Sequence, residues 1–318
     1  MPTPADVTAR RTWRRLASRI YRLYSNASDE IADKAKAALD AYVLDPDDMR
    51  GQYARHEITK FMFDSWVHDT LDKSERLHEL QEAVVSLVLQ CDHVATDWIA
   101  GALPTVWRGD MLYSTYLIES LTRGAVSFVL LDDQAIQRLI LRTPHLLPVV
   151  DDDKNSAYVR GRFRHELTMG IIQGEDVPSI AKRIQTVSNA DRAAATRQAR
   201  TAITSARNGA RQEVAERAVD MGIGIRKRWL ATLDDRTRDT HQHLDGETVN
   251  VNAKFSNGLM FPGDPEGKPG ELYNCRCTMT YVDEHTGKPQ RRDGMTGDVI
   301  DWITYDDWVK QRKAGASS

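Results

Sequence analysis

Four side chains define the chemistry open to this sequence: His241, His243, Cys275 and Cys277. Imidazole nitrogen and thiolate sulfur are the donors of tetrahedral structural zinc, and two of each complete a set. Each pair is spaced i, i+2, which puts both members on one face of an extended segment. Structural zinc sites more commonly leave about two to four residues between cysteines, and here there is one. Without a metal, Cys275 and Cys277 pack inward and His241 hydrogen-bonds to a loop backbone. A second chemistry is nucleophilic, with Cys275 or Cys277 activated by His241. No protease signature surrounds either thiol. A third is a hard cation held by Asp234, Asp235, His241 and Asn274, positioning a water for hydrolysis. Against it, Asp234 or Asp235 ahead of Arg236-Thr237-Arg238 suits a helix N-cap. No phosphate-binding loop and no dinucleotide fingerprint occurs in the sequence.

The elements that would position these groups are short. Over 275–282, Cys275, Cys277, Met279 and Tyr281 alternate with Arg276, Thr278, Thr280 and Val282. Period two with threonine and aromatics predicts a strand with both thiols on one face. Further strands are expected over 225–233, around Trp229, and over 247–251, with Asp245-Gly246 as the turn before the latter. Gly258, Pro262-Gly263, Asp264-Pro265, Gly267 and Pro269-Gly270 predict a long irregular loop between them.

These residues also carry a resemblance. The run Trp229, Ala231, Asp235, Arg236-Thr237-Arg238, His241, Leu244-Asp245-Gly246, Phe255, Pro262-Gly263-Asp264 and Asn274-Cys275-Arg276-Cys277 resembles the Mu F-type head morphogenesis family of tailed phages. A weaker likeness reaches back to about Tyr158. The resemblance implies a non-enzymatic minor head protein that binds the portal vertex and takes part in procapsid assembly and DNA packaging or ejection. The portal protein is the implied partner, with scaffold or capsid protein and non-specific DNA as further ones. The implied location is the host cytoplasm during assembly, then the capsid interior near the portal. In that reading Trp229, Asp235, Arg236, Thr237, His241, Asp245, Gly246, Asn274, Cys275, Arg276 and Cys277 are structural. The competing reading is a metal-dependent hydrolase or nuclease built on His241, Cys275 and Cys277.

Composition agrees with a globular protein. Of 318 residues, 41% are hydrophobic and 28% charged, and the net charge is −3. No apolar run approaches the roughly 18 residues of a membrane span, and the first residues lack a signal-peptide pattern, so a cytosolic compartment without a membrane partner is expected. Three cysteines do not suggest a disulfide framework, and Cys91, inside an apolar helical stripe, reads as a core residue. Charge is uneven: Arg10, Arg11, Arg14, Arg15, Arg19 and Arg22 face one acid, Asp6, in the first 25 residues. With Arg226, Lys227 and Arg228, the first four are candidates for contact with DNA or an acidic partner.

Ahead of Trp229 the chain reads as helix. Thr3-Pro4 is a helix start, with Val7, Trp13, Leu16, Ile20 and Leu23 as its stripe. Further helices are expected over 28–43, from Asp45-Pro46 past Trp66, from Ser74 past Trp98, and after Pro104 over 111–131 and 132–142. Asp151-Asp152-Asp153 reads as a solvated linker. Two helices broken at Gly174 follow, then a helix capped by Asn189 that ends near Gly222. Its alanines, arginines and thin apolar stripe suggest a partner-facing arm or a surface helix. Beyond 283 a polar stretch leads to Val299, Trp302, Ile303, Tyr305, Trp308 and Val309, a docking helix. The expected class is mainly α with a small α+β C-terminal domain. The expected division is a helical domain over 1–150, an arm over 151–222, the Mu F-like domain over 223–283, and a polar linker with the docking helix over 284–318.

Overall fold

The computed structural model describes residues 3–40, 48–122, 133–143, 145–282, 290–292 and 299–301. The protein is mainly helical with a small antiparallel sheet near its C-terminal end, as the sequence predicts. Two compact units are formed from segments distant in sequence: Met1–Leu16, Ile99–Pro148 and Arg197–Ser318 make one, and Ala17–Trp98 with Val149–Thr196 the other.

The second unit is helical. Its core joins the C-terminal part of α1 (Pro4–Asp40), α3 (Lys60–Lys73) and the first part of α4 (Glu75–Leu121) to α6 (Asp152–Gln173) and α7 (Val177–Gln185). Helix α2 (Met49–Ala54) packs beside it through Met49 and Tyr53. The two helices expected up to residue 43 are one, because nothing between Pro4 and Asp40 interrupts a buried row at three- and four-residue spacing: Leu16, Ile20, Tyr24, Ala27, Ile31, Ala35 and Leu39. Val7, placed in that stripe by the sequence, is exposed. The single helix expected past Trp66 is two, α2 and α3. The Asp45-Pro46 break lies outside the described residues. Helix α4 opens with Ser74 Oγ accepting from the Leu77 amide at 3.3 Å, then runs through Pro104 rather than stopping there. Leu103, Val106 and Trp107 are buried around that proline, and their packing offsets the missing hydrogen bond. Asp151 is an N-cap, its carboxylate accepting from the Lys154 amide, so the acidic run begins α6 instead of forming a linker. The break at Gly174 is as expected. Cys91 is buried, and burial pushes its thiol up to about 11.

The first unit carries the site. Helix α8 (Val187–Asp220) contributes its residues from Arg197 onward, beside the last part of α4 and α5 (Asp133–Arg142). Strands β1 (Arg226–Leu230), β2 (Thr248–Asn250) and β3 (Thr278–Val282) make an antiparallel sheet of order β2-β1-β3, with Trp229 opposite Met279 and Lys227 opposite Tyr281. The two short helices α9 (Asp239–His243) and α10 (Pro269–Leu272) lie in the intervening loops. A second pair, β4 (Gln290–Arg292) and β5 (Val299–Asp301), replaces the expected helix where that helix would begin; the rest of the docking segment lies outside the described residues.

Helix α8 is neither an arm nor a surface helix. Ala202, Ala206, Ala210, Val214, Ala215 and Ala218 are buried, and so are Thr201, Ser205, Asn208, Arg211 and Gln212. Alanine and glycine permit close approach: a Cβ on Gly209 would come within 3.1 Å of the Trp107 ring. The buried polar stripe answers backbone groups that the loop-rich chain cannot pair by itself. Asn208 donates to the Pro262 and Cys277 carbonyls, Gln212 to Val251, Arg211 to Met279, and Thr204 to Cys275.

Candidate functional site

Strand β1 alternates, so Lys227 and Trp229 are buried while Arg226 is exposed. Trp229 is fully buried and meets Phe255 edge-on at 5.1 Å and His241 at 5.2 Å between ring centroids. The turn after α9 fixes the chain's return. Gly246 takes φ 86, where a side chain would be strained. The Asp245 carboxylate accepts from the Ala231 amide at 2.8 Å.

On the other side the run from Tyr273 to Cys277 is held carbonyl by carbonyl. Arg238 donates to Tyr273, Thr204 to Cys275, Thr232 to Arg276 and Asn208 to Cys277. Asn274, at φ 58, uses its own amide to donate to Thr201. Alternating burial continues upstream of β3, with Cys275 and Cys277 inward and Arg276 partly out. The expected strand over 275–282 starts only at Thr278, yet both thiols share one side.

They face His241, which α9 presents inward at 1% exposure. Its Nδ1 lies 3.6 Å from Cys275 Sγ and 3.5 Å from Cys277 Sγ. Its Nε2 lies 2.9 Å from Glu271 Oε2 on α10. An ionised carboxylate only accepts, so Nε2 carries the proton and the Nδ1 lone pair points at the sulfurs. Glu271 is itself oriented by Thr240 Oγ1 at 3.2 Å. The two thiols compete for protons. The hydrogen bond from Cys275 pulls the Cys277 thiol below its usual range and holds Cys275 correspondingly above it.

The predicted set is thus gathered in part. His241, Cys275 and Cys277 converge, with donor atoms within 4.8 Å of one another. His243 does not join them: the segment is helical, where i and i+2 point to different sides, and His243 is exposed with Nδ1 donating to the Asp239 carbonyl. The hard-cation set does not assemble. Asp234 is occupied by Arg276, the Arg236 amide and Thr237 Oγ1, Asp235 is exposed, and Asn274 accepts from Arg200. Nor is Asp234 or Asp235 a helix N-cap; α9 starts at Asp239. Sequence reasoning missed Glu271, Asn208, Arg211 and Asp110. For the α8 residues a signal existed, because Thr201, Thr204, Ser205, Asn208 and Gln212 recur at helical spacing among alanines.

The basic candidates separate. Arg10, Arg11, Arg14 and Arg15 are exposed on α1, whereas Lys227 is fully buried and is no surface contact. Its ammonium donates to Gln212 Oε1 at 3.1 Å and the Met260 carbonyl at 2.7 Å. Burial lowers it to about 8, partly countered by Glu216 and Asp264. Below that value both folded and unfolded chains hold the proton and the burial cost applies in full. Between about 8 and the ordinary lysine value of 10.5 the unfolded chain keeps a proton that the folded one has lost, so stability rises with pH. Urea unfolding across that window should show wild type gaining on Lys227→Met; parallel curves would refute the assignment. A different arginine group gathers instead: Arg200 stacks over Trp13 at 4.7 Å, and it is lowered by burial and by the like charges of Arg276 and Arg236.

Comparison with known proteins shows what the chain is similar to. Residues 162–280 match the family described as Phage Mu protein F like protein. The chain is 33% identical over 150 residues to NAD(+)–arginine ADP-ribosyltransferase EFV of Enterococcus faecalis, covering 46% of this chain and 31% of that protein. It is 28% identical over 223 residues to minor head protein GP7 of Bacillus phage SPP1, covering 67% of this chain and 71% of that one. The chain thus spans about a third of the first relative and about two thirds of the second. No solved structure matches.

Proposed function

We propose that this chain, whose residues 162–280 match the Phage Mu protein F like family, is a minor head protein acting in phage head morphogenesis. The observation that carries the reading is its similarity to a minor head protein over 71% of that protein's length. In this reading it binds the portal vertex, enters the assembling procapsid and then resides in the virion, with a role in DNA packaging or ejection. Among the described residues no helix is long and apolar enough to cross a membrane.

The fold supports a binding role over a catalytic one. His241, Cys275 and Cys277 are all buried, so a substrate does not reach them in this conformation. Zinc held there would be a structural clasp of the family-matched segment. The activity in the name of the enterococcal relative we assign to the part of that protein outside the shared stretch, since 31% of it is covered. Non-specific contact with DNA falls to the exposed Arg10, Arg11, Arg14, Arg15 and Arg236, with the half-buried Arg200 beside them, because guanidinium groups at the surface neutralise phosphates without reading sequence.

Co-expression with the portal protein encoded in the same phage genome tests the reading. The two should co-sediment at a fixed ratio, and procapsids made without this chain should lose infectivity. A portal that shows no association, with heads equally infectious in its absence, would overturn it.

A further inference from the structure

We propose that His241, Cys275 and Cys277 form a three-donor zinc site, with Glu271 positioning the imidazole and one coordination place left for a donor outside this trio. The proposal goes beyond the head-assembly reading and does not depend on it.

Geometry is the first support. A tetrahedral zinc with bonds of about 2.3 Å to sulfur and about 2.0–2.1 Å to nitrogen separates those donors by about 3.5–3.6 Å. The Nδ1 to Sγ distances are 3.6 and 3.5 Å. Hydrogen-bond accounting is the second. Nδ1 offers one lone pair, and two sulfurs lie at nearly equal distance from it; it accepts from one thiol at a time and leaves the other to its neighbouring sulfur, whereas a cation among the three takes a bond from each. Third is the surrounding order. Glu271 on Nε2 is the carboxylate that metal-bound histidines ordinarily have behind them, fixing the tautomer. The carbonyls of Cys275, Arg276 and Cys277 are each anchored, and Trp229 and Phe255 wall the group from water. The fold therefore holds the donors ready before an ion arrives.

Binding is balanced simply. The ion forms two bonds to sulfur and one to nitrogen, each bound sulfur losing any proton it carries to solvent, and nothing is oxidised or reduced. Zinc fits best because two thiolates and an imidazole are donors for a borderline-soft tetrahedral ion, not for calcium or magnesium.

Cobalt substitution of the purified full-length chain tests this. Titration with Co2+ should saturate near one equivalent and develop thiolate-to-cobalt charge-transfer absorption with the strong ligand-field bands of tetrahedral cobalt; zinc should displace it. Cys275→Ser and Cys277→Ser should abolish the charge-transfer band, while His243→Ala should retain it. Glu271→Gln should keep the band shape but weaken cobalt binding about 10- to 100-fold, the signature of a positioning residue. If the cysteine variants fail to fold, the wild-type spectrum still decides. Folded wild type without a charge-transfer band, or a band that survives both cysteine substitutions, would overturn the site.

Discussion

Asp110→Ala is expected to lower the stability of the first unit by about 3–5 kcal/mol, which unfolding in urea would measure. Asp110 is fully buried on α4 and accepts from Arg207 Nε at 2.9 Å, Arg211 Nε at 2.9 Å and Arg211 Nη2 at 2.7 Å. Two guanidinium groups share this carboxylate; Asp6 on α1 is a second acceptor for Arg207 at 2.6 Å. Arg211, 5% exposed, also donates to the Met279 carbonyl, so the cluster ties α4 and α8 to β3. Alanine would leave Arg211 buried with its charge uncompensated, which costs more than the attraction itself contributed. Because β3 continues into the Cys277 segment, the variant should also disorder the thiol pair. A loss below about 1 kcal/mol would show that water reaches this cluster, and would remove it as an anchor.

Trp229→Ala should cost a similar amount, about 3–5 kcal/mol. Among the described residues the indole is the largest fully buried side chain, and it holds Phe255 and His241 against its ring. Its Nε1 is buried without a hydrogen-bond partner, so ring area and aromatic contact account for its contribution. Trp229→Phe should therefore recover a large part of the loss. Thermal unfolding of the two variants checks this: equal destabilisation by both would mean that the indole nitrogen matters, contrary to the packing. His241 rests on this ring, so Trp229→Ala should also relax the imidazole from the thiols.

Particular residues show what was legible. The alternation from Cys275 to Tyr281 is a local property of the chain, and burial follows it residue by residue even where strand pairing stops. Asp245-Gly246 was readable because a positive φ favours glycine. The loop between Val251 and Cys275 was readable from its glycines and prolines. The same local reading failed where a partner decides. Pro104 looked like a stop, yet packing on both sides carries α4 through it. Lys227 looked like a surface cation, but strand alternation turns it inward and Gln212 and Met260 receive it.

The sequence by itself determined the class, the sheet segments, the inward face of the two thiols and the likeness to phage head proteins, because periodicity and turn chemistry are written in neighbouring residues. The likeness carried His241 and not His243; the tertiary structure supplied the physical reason, since one turn of α9 directs His241 inward and His243 outward. It alone made α8 a buried post, and it alone brought Glu271 to His241 and Asp110 to Arg211, 30 and 101 residues apart. Such pairs are fixed by the folded path of the backbone, and no local spacing encodes them.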